Sequence, residues 1–137
     1  MTTPDKTWKT LRRVIDEQGV AHLTLIDPDP IKQSPAEAGR IAKLAEQAGS
    51  NGIMVGGSTA FGIIDETLKA IKEQVKIPVI LFPGNVSGLS RYADAVFFMS
   101  LLNSRGTYWI IDAQVLGARY IKEYNLEPIS MAYLIVD

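Results

Sequence analysis

Short apolar runs alternate with amphipathic segments along most of this chain. The apolar runs cover residues 22–27, 52–57, 78–82, 95–102 and 129–136. Segments with apolar residues at helical spacing precede and separate them, in residues 5–18, 34–48, 64–75 and 108–124. Continuous apolar strands separated by helices are typical of a parallel sheet that is buried on both faces. The pattern therefore predicts an α/β protein built from βα units.

The stretch between the third and fourth strands departs from this alternation. Residues 83–94, PGNVSGLSRYAD, contain one proline and two glycines in their first seven positions, which leaves no room for a full covering helix. Five strands are about half of a (βα)8 TIM barrel, which takes ~250 residues. We therefore predict strands one to five of such a barrel, with the third covering helix replaced by irregular structure and the barrel left unclosed. An open doubly wound sheet is the alternative.

Length and composition narrow the class of protein further. The 137 residues fit a single domain, with an N-terminal helix in residues 1–20 and βα units in residues 21–137. With no cysteine and one histidine, the chain offers neither a disulfide framework nor a structural zinc site. A net charge of -1 gives no footprint for nucleic acid. The absence of a leader-like or membrane-spanning apolar run predicts a cytoplasmic protein.

The carboxyl ends of parallel strands carry the active site in such folds, so the residues just after each apolar run are the candidates. Asp27 closes the first run and is followed by Pro28 and Asp29. A carboxylate at this edge suits Mg²⁺, which takes few protein carboxylates and completes its coordination with water and phosphate oxygens. Asp27 could equally serve only to cap the turn.

The second and fourth runs end in residues that could contact phosphate. Gly56 and Gly57 let a ligand approach backbone N–H groups closely, and the Ser58 hydroxyl can join a metal or phosphate shell. A glycine turn with helix-capping hydroxyls is the structural alternative. Asn103 and Ser104 can bind phosphate oxygens or water, although both are ordinary turn formers.

Large apolar side chains gather around the fourth strand and the helix after it, at Phe97, Phe98, Met99, Leu101, Leu102, Tyr108 and Trp109. They fit either the protein core or a slot for an apolar ligand chain. His22, at the opposite end of the first strand, is expected to be structural.

Five segments, in order, resemble the geranylgeranylglyceryl phosphate synthase family: HLTLIDP at 22–28, GIMVGGST at 52–59, ILFPGN at 80–85, RYADAVFFMSLLNS at 91–104 and MAYLIVD at 131–137. The resemblance implies a modified (βα)8 barrel without its third covering helix. It also implies transfer of a geranylgeranyl group from its diphosphate to the 3-hydroxyl of sn-glycerol 1-phosphate, an early step of ether-lipid biosynthesis. Heptaprenyl-transferring relatives leave the length of the prenyl chain open.

By position, the resemblance implies that Asp27 and Ser58 bind magnesium, and we expect Gly56, Gly57 and Asn103 at the diphosphate. Members of the family continue through strands six to eight, where we expect the glycerol phosphate site and the catalytic base, so this chain alone is expected to be inactive. Unpaired strand edges predict a homo-oligomer, and a lipid product predicts an encounter with the membrane surface. A non-catalytic, self-associating half-barrel and a phosphosugar-processing barrel enzyme are the alternative functions.

Overall fold

A computed structural model describes residues 6–29, 31–56 and 62–136. It contains helix α1 (Lys6–Gln18) and then, in chain order, β1 (Leu23–Ile26), α2 (Pro35–Gln47), β2 (Gly52–Val55), α3 (Ile64–Gln74), β3 (Val79–Leu81), β4 (Ala95–Leu101), α4 (Ala113–Tyr124) and β5 (Glu127–Tyr133). The five strands form one parallel sheet in sequence order, so that β1 and β5 are its edges. The predicted parallel α/β architecture is confirmed.

Helix α2 begins at the signal that the sequence predicts. The Ser34 hydroxyl accepts the Glu37 N–H at 3.3 Å, and the Glu37 carboxylate accepts the Ser34 N–H at 3.2 Å. This capping box satisfies N–H groups that the first turn leaves free, and Pro35 follows where a proline costs nothing. Gly39 lets α2 pack tightly on α3, since a Cβ there would lie 2.8 Å from the Ala70 carbonyl oxygen.

Successive strand residues point to opposite faces of the sheet, and each face has its own apolar cluster. The face covered by α2 and α3 buries Ile53, Val55, Val79, Leu81 and Val96, together with Leu68 and Ile71 of α3. The other face buries Ile80, Ala95, Phe97 and Ile129. We call this second face the concave face, because the face of a barrel sheet that its helices leave uncovered forms the interior.

Helix α1 crosses the amino-terminal ends of the strands and is anchored to the far edge of the sheet. The buried carboxylate of Glu127 accepts the N–H groups of Thr7 at 2.6 Å and Trp8 at 2.8 Å, which caps the first turn of the helix. Leu11 packs into the concave cluster. Helical spacing in residues 5–18 predicts that Trp8 and Leu11 share the face of α1 that docks on the sheet, but Trp8 is 43% exposed, and Thr7, held by Glu127, is buried instead.

The predicted irregular crossover between β3 and β4 is confirmed. It contains a 3-10 turn, Val86–Gly88, followed by residues 90–94, which we call the strap. Alternate strap residues are held by one side of α3, in the contacts Ser90–Asp65 (2.5 Å), Tyr92–Lys69 (4.3 Å from ring centroid to ammonium) and Asp94–Lys72 (2.6 Å). The Arg91 guanidinium lies 4.8 Å from the Tyr124 ring of α4. The strap thus joins the two helices where a covering helix would lie.

Strand β5 differs from its prediction. It begins at Glu127 rather than Ile129 and ends at Tyr133 rather than Val136. Pro128 falls inside it, which a strand tolerates when only one side is paired, and the described residues pair β5 on one side, with β4.

The helix predicted at 108–124 begins with a π-helical turn, Tyr108–Asp112, which we call the wide turn. It holds one residue more than an α-turn and so rotates the residues before it relative to α4. The apolar residues Trp109, Leu116 and Tyr120, which the helical spacing predicts on one buried face, are 43%, 56% and 40% exposed, and Gly117 and Ile121 are the buried residues of α4.

Candidate functional site at the carboxyl edge of the sheet

The two carboxylates that follow β1 have different environments. Asp29 forms the turn: its side chain accepts the Ile31 N–H at 2.9 Å and lies 3.4 Å from the Lys32 ammonium. The Ile31 N–H holds the pKa of the Asp29 carboxyl below its ordinary value, with a smaller contribution from Lys32. Asp27 is exposed and has no hydrogen-bond or ion-pair partner among the described residues. The capping role that the sequence left open for Asp27 therefore belongs to Asp29.

An exposed, unpaired carboxylate fits the donor set of a Mg²⁺ site, since that ion uses one or two protein carboxylates together with water. Within the described ranges, no three His, Asp or Glu side chains converge as a metal-binding group. Ser58 and Gly57 lie outside the described residues, so the convergence of Asp27 with Ser58 stays a prediction.

Gly56 follows β2 directly and lies in a position that excludes any side chain. Its φ is +149°, and a Cβ would lie 2.0 Å from the Phe82 carbonyl oxygen. The residue is therefore required by the close approach of the chain after β3. Its N–H donates to the Ile26 carbonyl at 3.2 Å. A diphosphate contact from this N–H would use a donor that is already engaged, and that contact stays a prediction.

Asn103 lies after β4, where the sequence places it, and its side chain joins two strand ends. The amide nitrogen donates to the Ile135 carbonyl at 2.6 Å, and the side-chain oxygen accepts the Ile135 N–H at 3.2 Å. Both ends of the amide thus bind backbone beyond β5. Its predicted diphosphate contact is not shown, and what the structure shows is a positioning role for the rim.

An apolar cavity of about 460 Å³ opens at the same edge as Asp27. Its wall comes from four parts of the chain: residues 82–89 after β3, residues 96–101 of β4, the wide turn with α4, and Tyr133 and Ile135 at and just past the end of β5. A site of this size and character is typical of pockets for small apolar ligands. The apolar residues near β4 are expected from the sequence to form either the protein core or a slot for an apolar ligand chain. The structure is consistent with both, since Phe97 belongs to the core and also lines the cavity.

Aromatic rings line the side of the cavity that faces the concave sheet. The Phe82 ring meets Phe97 edge-on at 6.3 Å and Tyr133 edge-on at 5.6 Å between centroids. Edge-to-face pairs are a favourable packing arrangement of aromatic rings. This side of the wall is therefore formed by aromatic rings packed against one another.

Several cavity residues could not be identified from the sequence. Val86 and Leu89 belong to a stretch that reads only as a loop, and Gly117 reads only as a helix breaker. Tyr133 and Ile135 could have been identified as candidates, since they lie near the carboxyl end of the fifth apolar run, where such folds place their active sites. Gln114, whose direction the sequence leaves undetermined, donates to the Met99 carbonyl and lines the cavity.

His22 lies at the opposite end of β1, as predicted. It is exposed, and its backbone N–H donates to the Asn51 side-chain oxygen at 2.8 Å.

None of the four described α-helices combines the length and apolar character that a bilayer crossing requires.

The structure is a parallel α/β sheet whose carboxyl edge carries an apolar cavity and the exposed carboxylate of Asp27, at the edge where βα-barrel proteins bind their ligands. The chain belongs to the PcrB family, whose model matches residues 12–137. Its relatives include geranylgeranylglyceryl phosphate synthases from Methanosarcina barkeri, 54% identical over 129 residues, and Pyrococcus abyssi, 60% identical over 118 residues. These matches cover 93% and 85% of this chain but 51% and 46% of the relatives. The chain thus spans about half the length of the curated relatives it matches.

Solved structures agree with this assignment. The GGGPS of Thermoplasma volcanium superposes with a TM-score of 0.77 at 49% identity, over 83% of this chain and 46% of that one. The (S)-3-O-geranylgeranylglyceryl phosphate synthase of Thermoplasma acidophilum, solved with its substrate sn-glycerol-1-phosphate, superposes with a TM-score of 0.85 at 43% identity, over 96% and 53%. The predicted TIM-barrel class and family resemblance are confirmed.

Proposed function

We propose that this chain is the amino-terminal part of a magnesium-dependent prenyltransferase that joins a geranylgeranyl group to sn-glycerol 1-phosphate. One observation carries the proposal: an apolar cavity and the carboxylate of Asp27, exposed and without a partner among the described residues, share the carboxyl edge of one parallel sheet. A prenyl diphosphate has the same division, with a long hydrocarbon chain and a compact anionic head. The names of the family's relatives support this reaction class.

The cavity would bind the hydrocarbon chain. Its wall is formed mainly by Phe, Leu, Val and Met side chains, so the apolar chain leaves water on binding. The edge-to-face packing of Phe82 with Phe97 and Tyr133 would order these rings before a ligand binds. Such preorganisation favours affinity for an otherwise flexible ligand.

Asp27 would hold the metal, and Ser58 is the expected second ligand. When bound, Mg²⁺ neutralises charge on the diphosphate as it leaves. Asp27 suits this role because it is open to water and to a phosphate oxygen, whereas the Asp29 carboxylate is held by Ile31 and Lys32. Asp29 instead keeps the turn beside Asp27 in shape.

The acceptor and the catalytic base would be bound by parts of the protein outside this chain. The described residues offer no further acidic side chain at the ends of β2 to β5 that could take the proton from the 3-hydroxyl. The relative solved with sn-glycerol-1-phosphate is about twice as long as the stretch matched here. We therefore propose that strands six to eight complete the acceptor site.

The test is product formation by the protein at its natural length, incubated with geranylgeranyl diphosphate, labelled sn-glycerol 1-phosphate and Mg²⁺. We expect an ether-linked product with the wild type and a loss of at least about a hundredfold in kcat/KM for Asp27→Asn, as expected when a metal ligand is removed. Glu17→Gln, at an exposed carboxylate of α1, is the matched control and should retain activity within about threefold, since α1 crosses the opposite ends of the strands. No ether product, or an undiminished rate for Asp27→Asn, would count against the proposal.

A further inference from the structure

The wide turn at Tyr108–Asp112 is an unusual way to begin a helix. π-helical turns are rare, and they recur at functional sites because they aim side chains in directions that an α-turn does not allow. Here the wide turn carries Trp109, whose ring lines the cavity and meets Tyr108 edge-on at 4.7 Å. Converting the wide turn into an α-turn would rotate Trp109 out of its present place in the wall.

Two polar side chains hold the wide turn against β4. The Ser100 hydroxyl donates to the Ile110 carbonyl, in the middle of the wide turn, at 2.6 Å. The Gln114 amide, one turn further along α4, donates to the Met99 carbonyl. Neighbouring residues of β4 therefore tether the wide turn at its centre and just past its end.

Gln114 carries a polar atom into the cavity wall at a cost in stability. Its Oε1 is shielded from solvent and has no hydrogen-bond partner among the described residues. A buried acceptor without a donor is unfavourable, and a methionine of similar length would avoid that cost. The feature that methionine cannot supply is the bond from the amide to Met99.

We propose that Ser100 and Gln114 are positioning residues for chain-length selection, which they exert by holding the wide turn and so fixing the cavity wall at Trp109. This inference rests on the proposed function, because it takes the cavity to be the site of the prenyl chain. With either tether lost, the turn relaxes, the wall yields and the cavity accepts a longer chain.

The test uses the unreactive alcohols farnesol, geranylgeraniol and geranylfarnesol, which lack the diphosphate and so report on the cavity independently of transfer. Their dissociation constants are measured by titration calorimetry on the natural-length protein, for the wild type, Ser100→Ala and Gln114→Met. We expect each variant to raise the affinity for geranylfarnesol relative to geranylgeraniol by about tenfold, the equivalent of less than two further buried methylenes. Ser100→Thr, which keeps the hydroxyl, should restore the wild-type ratio.

Gln47→Met on the exposed end of α2 is the matched control, and it should leave the ratio unchanged. Wild-type ratios in both Ser100→Ala and Gln114→Met, with the alcohols bound, would overturn this inference while leaving the proposed function intact. Should Gln114→Met fail to fold, Ser100→Ala alone decides in the same way. If the wild type binds none of the alcohols, the cavity is not the site of the prenyl chain, and the inference fails together with that part of the proposed function.

Discussion

Most of the residues that we consider at the carboxyl edge of the sheet hold the backbone in position. The side chains of Asp29 and Asn103 form hydrogen bonds with nearby backbone groups, and Gly56 is required by the close approach of Phe82. Asp27 alone among these four residues is left exposed and unpaired within the described chain. The metal site proposed at this edge would depend on neighbouring residues that hold the surrounding backbone in position.

Gly56→Ala should destabilise the protein far more than Gly49→Ala. Both glycines have positive φ, +149° and +96°, so each alanine adds backbone strain of about 1–2 kcal/mol. Gly49 has open space around its Cβ position, whereas at Gly56 the Cβ would overlap the Phe82 carbonyl. We expect a loss of more than about 4 kcal/mol for Gly56→Ala in denaturant unfolding. Equal losses for the two variants would contradict the proposed close approach.

Asp29→Asn should destabilise the fold at neutral pH and not in strong acid. The folded-state pKa of Asp29 is below its ordinary value of 3.8. The ionised carboxylate therefore contributes stability above pH 3.8, and that contribution is lost as the pH falls through the lower folded-state pKa. Thermal unfolding of wild type and variant from pH 7 downward should give two curves that converge below 3.8. A difference in unfolding temperature between wild type and variant that stays constant with pH would show that the ionised Asp29 carboxylate does not stabilise the fold.

Among the elements, α1 depends on a residue that is far away in sequence. Glu127 of β5 caps the first turn of α1, and Leu11 fills the concave face behind it. Four strands and three α-helices separate α1 from Glu127 along the chain, so α1 is held by the assembled sheet rather than by its own propensity.

Glu127→Ala should lower the free energy of unfolding by about 3 kcal/mol, because it leaves two N–H groups without their charged acceptor. Hydrogen exchange should show the loss of protection concentrated in α1. Glu123→Ala, an exposed glutamate on α4, should change stability by less than about 0.5 kcal/mol. Uniform loss of protection across the sheet would show that Glu127 is not a specific anchor for α1.

The sequence predicted those elements whose signals are local. Ser34 and Glu37 identify the start of α2, and the two glycines around Val86 identify the missing helix. Prediction from the sequence was wrong where a contact between residues far apart in the chain determines the local structure. The wide turn depends on Ser100 and Met99 of β4, and the inward rotation of Thr7 depends on Glu127. Neither dependence leaves a periodic pattern in the chain.

As a whole, the molecule exposes surface that a closed barrel would cover. Strands β1 and β5 are each paired on one side within the described residues, and Leu25 on the concave face is 51% exposed. Unpaired strand edges template association. The homo-oligomer that the sequence predicts, and a cytoplasmic location, stay predictions.

The 137-residue chain should therefore form dimers or larger species in light scattering. Ala132→Lys, which puts a charge on edge strand β5, should reduce this association, whereas Ala118→Lys on the exposed side of α4 should not. A stable monomer of the unmodified chain would contradict the edge account.

The most direct test of the proposed site is a crystal structure of the natural-length protein with Mn²⁺ and an unreactive thiolo analogue of geranylgeranyl diphosphate. We predict anomalous density for the metal in contact with the Asp27 carboxylate and the diphosphate, and the hydrocarbon chain in the cavity beside Phe97 and Trp109. A metal bound away from Asp27, or a chain lying outside that cavity, would contradict the account.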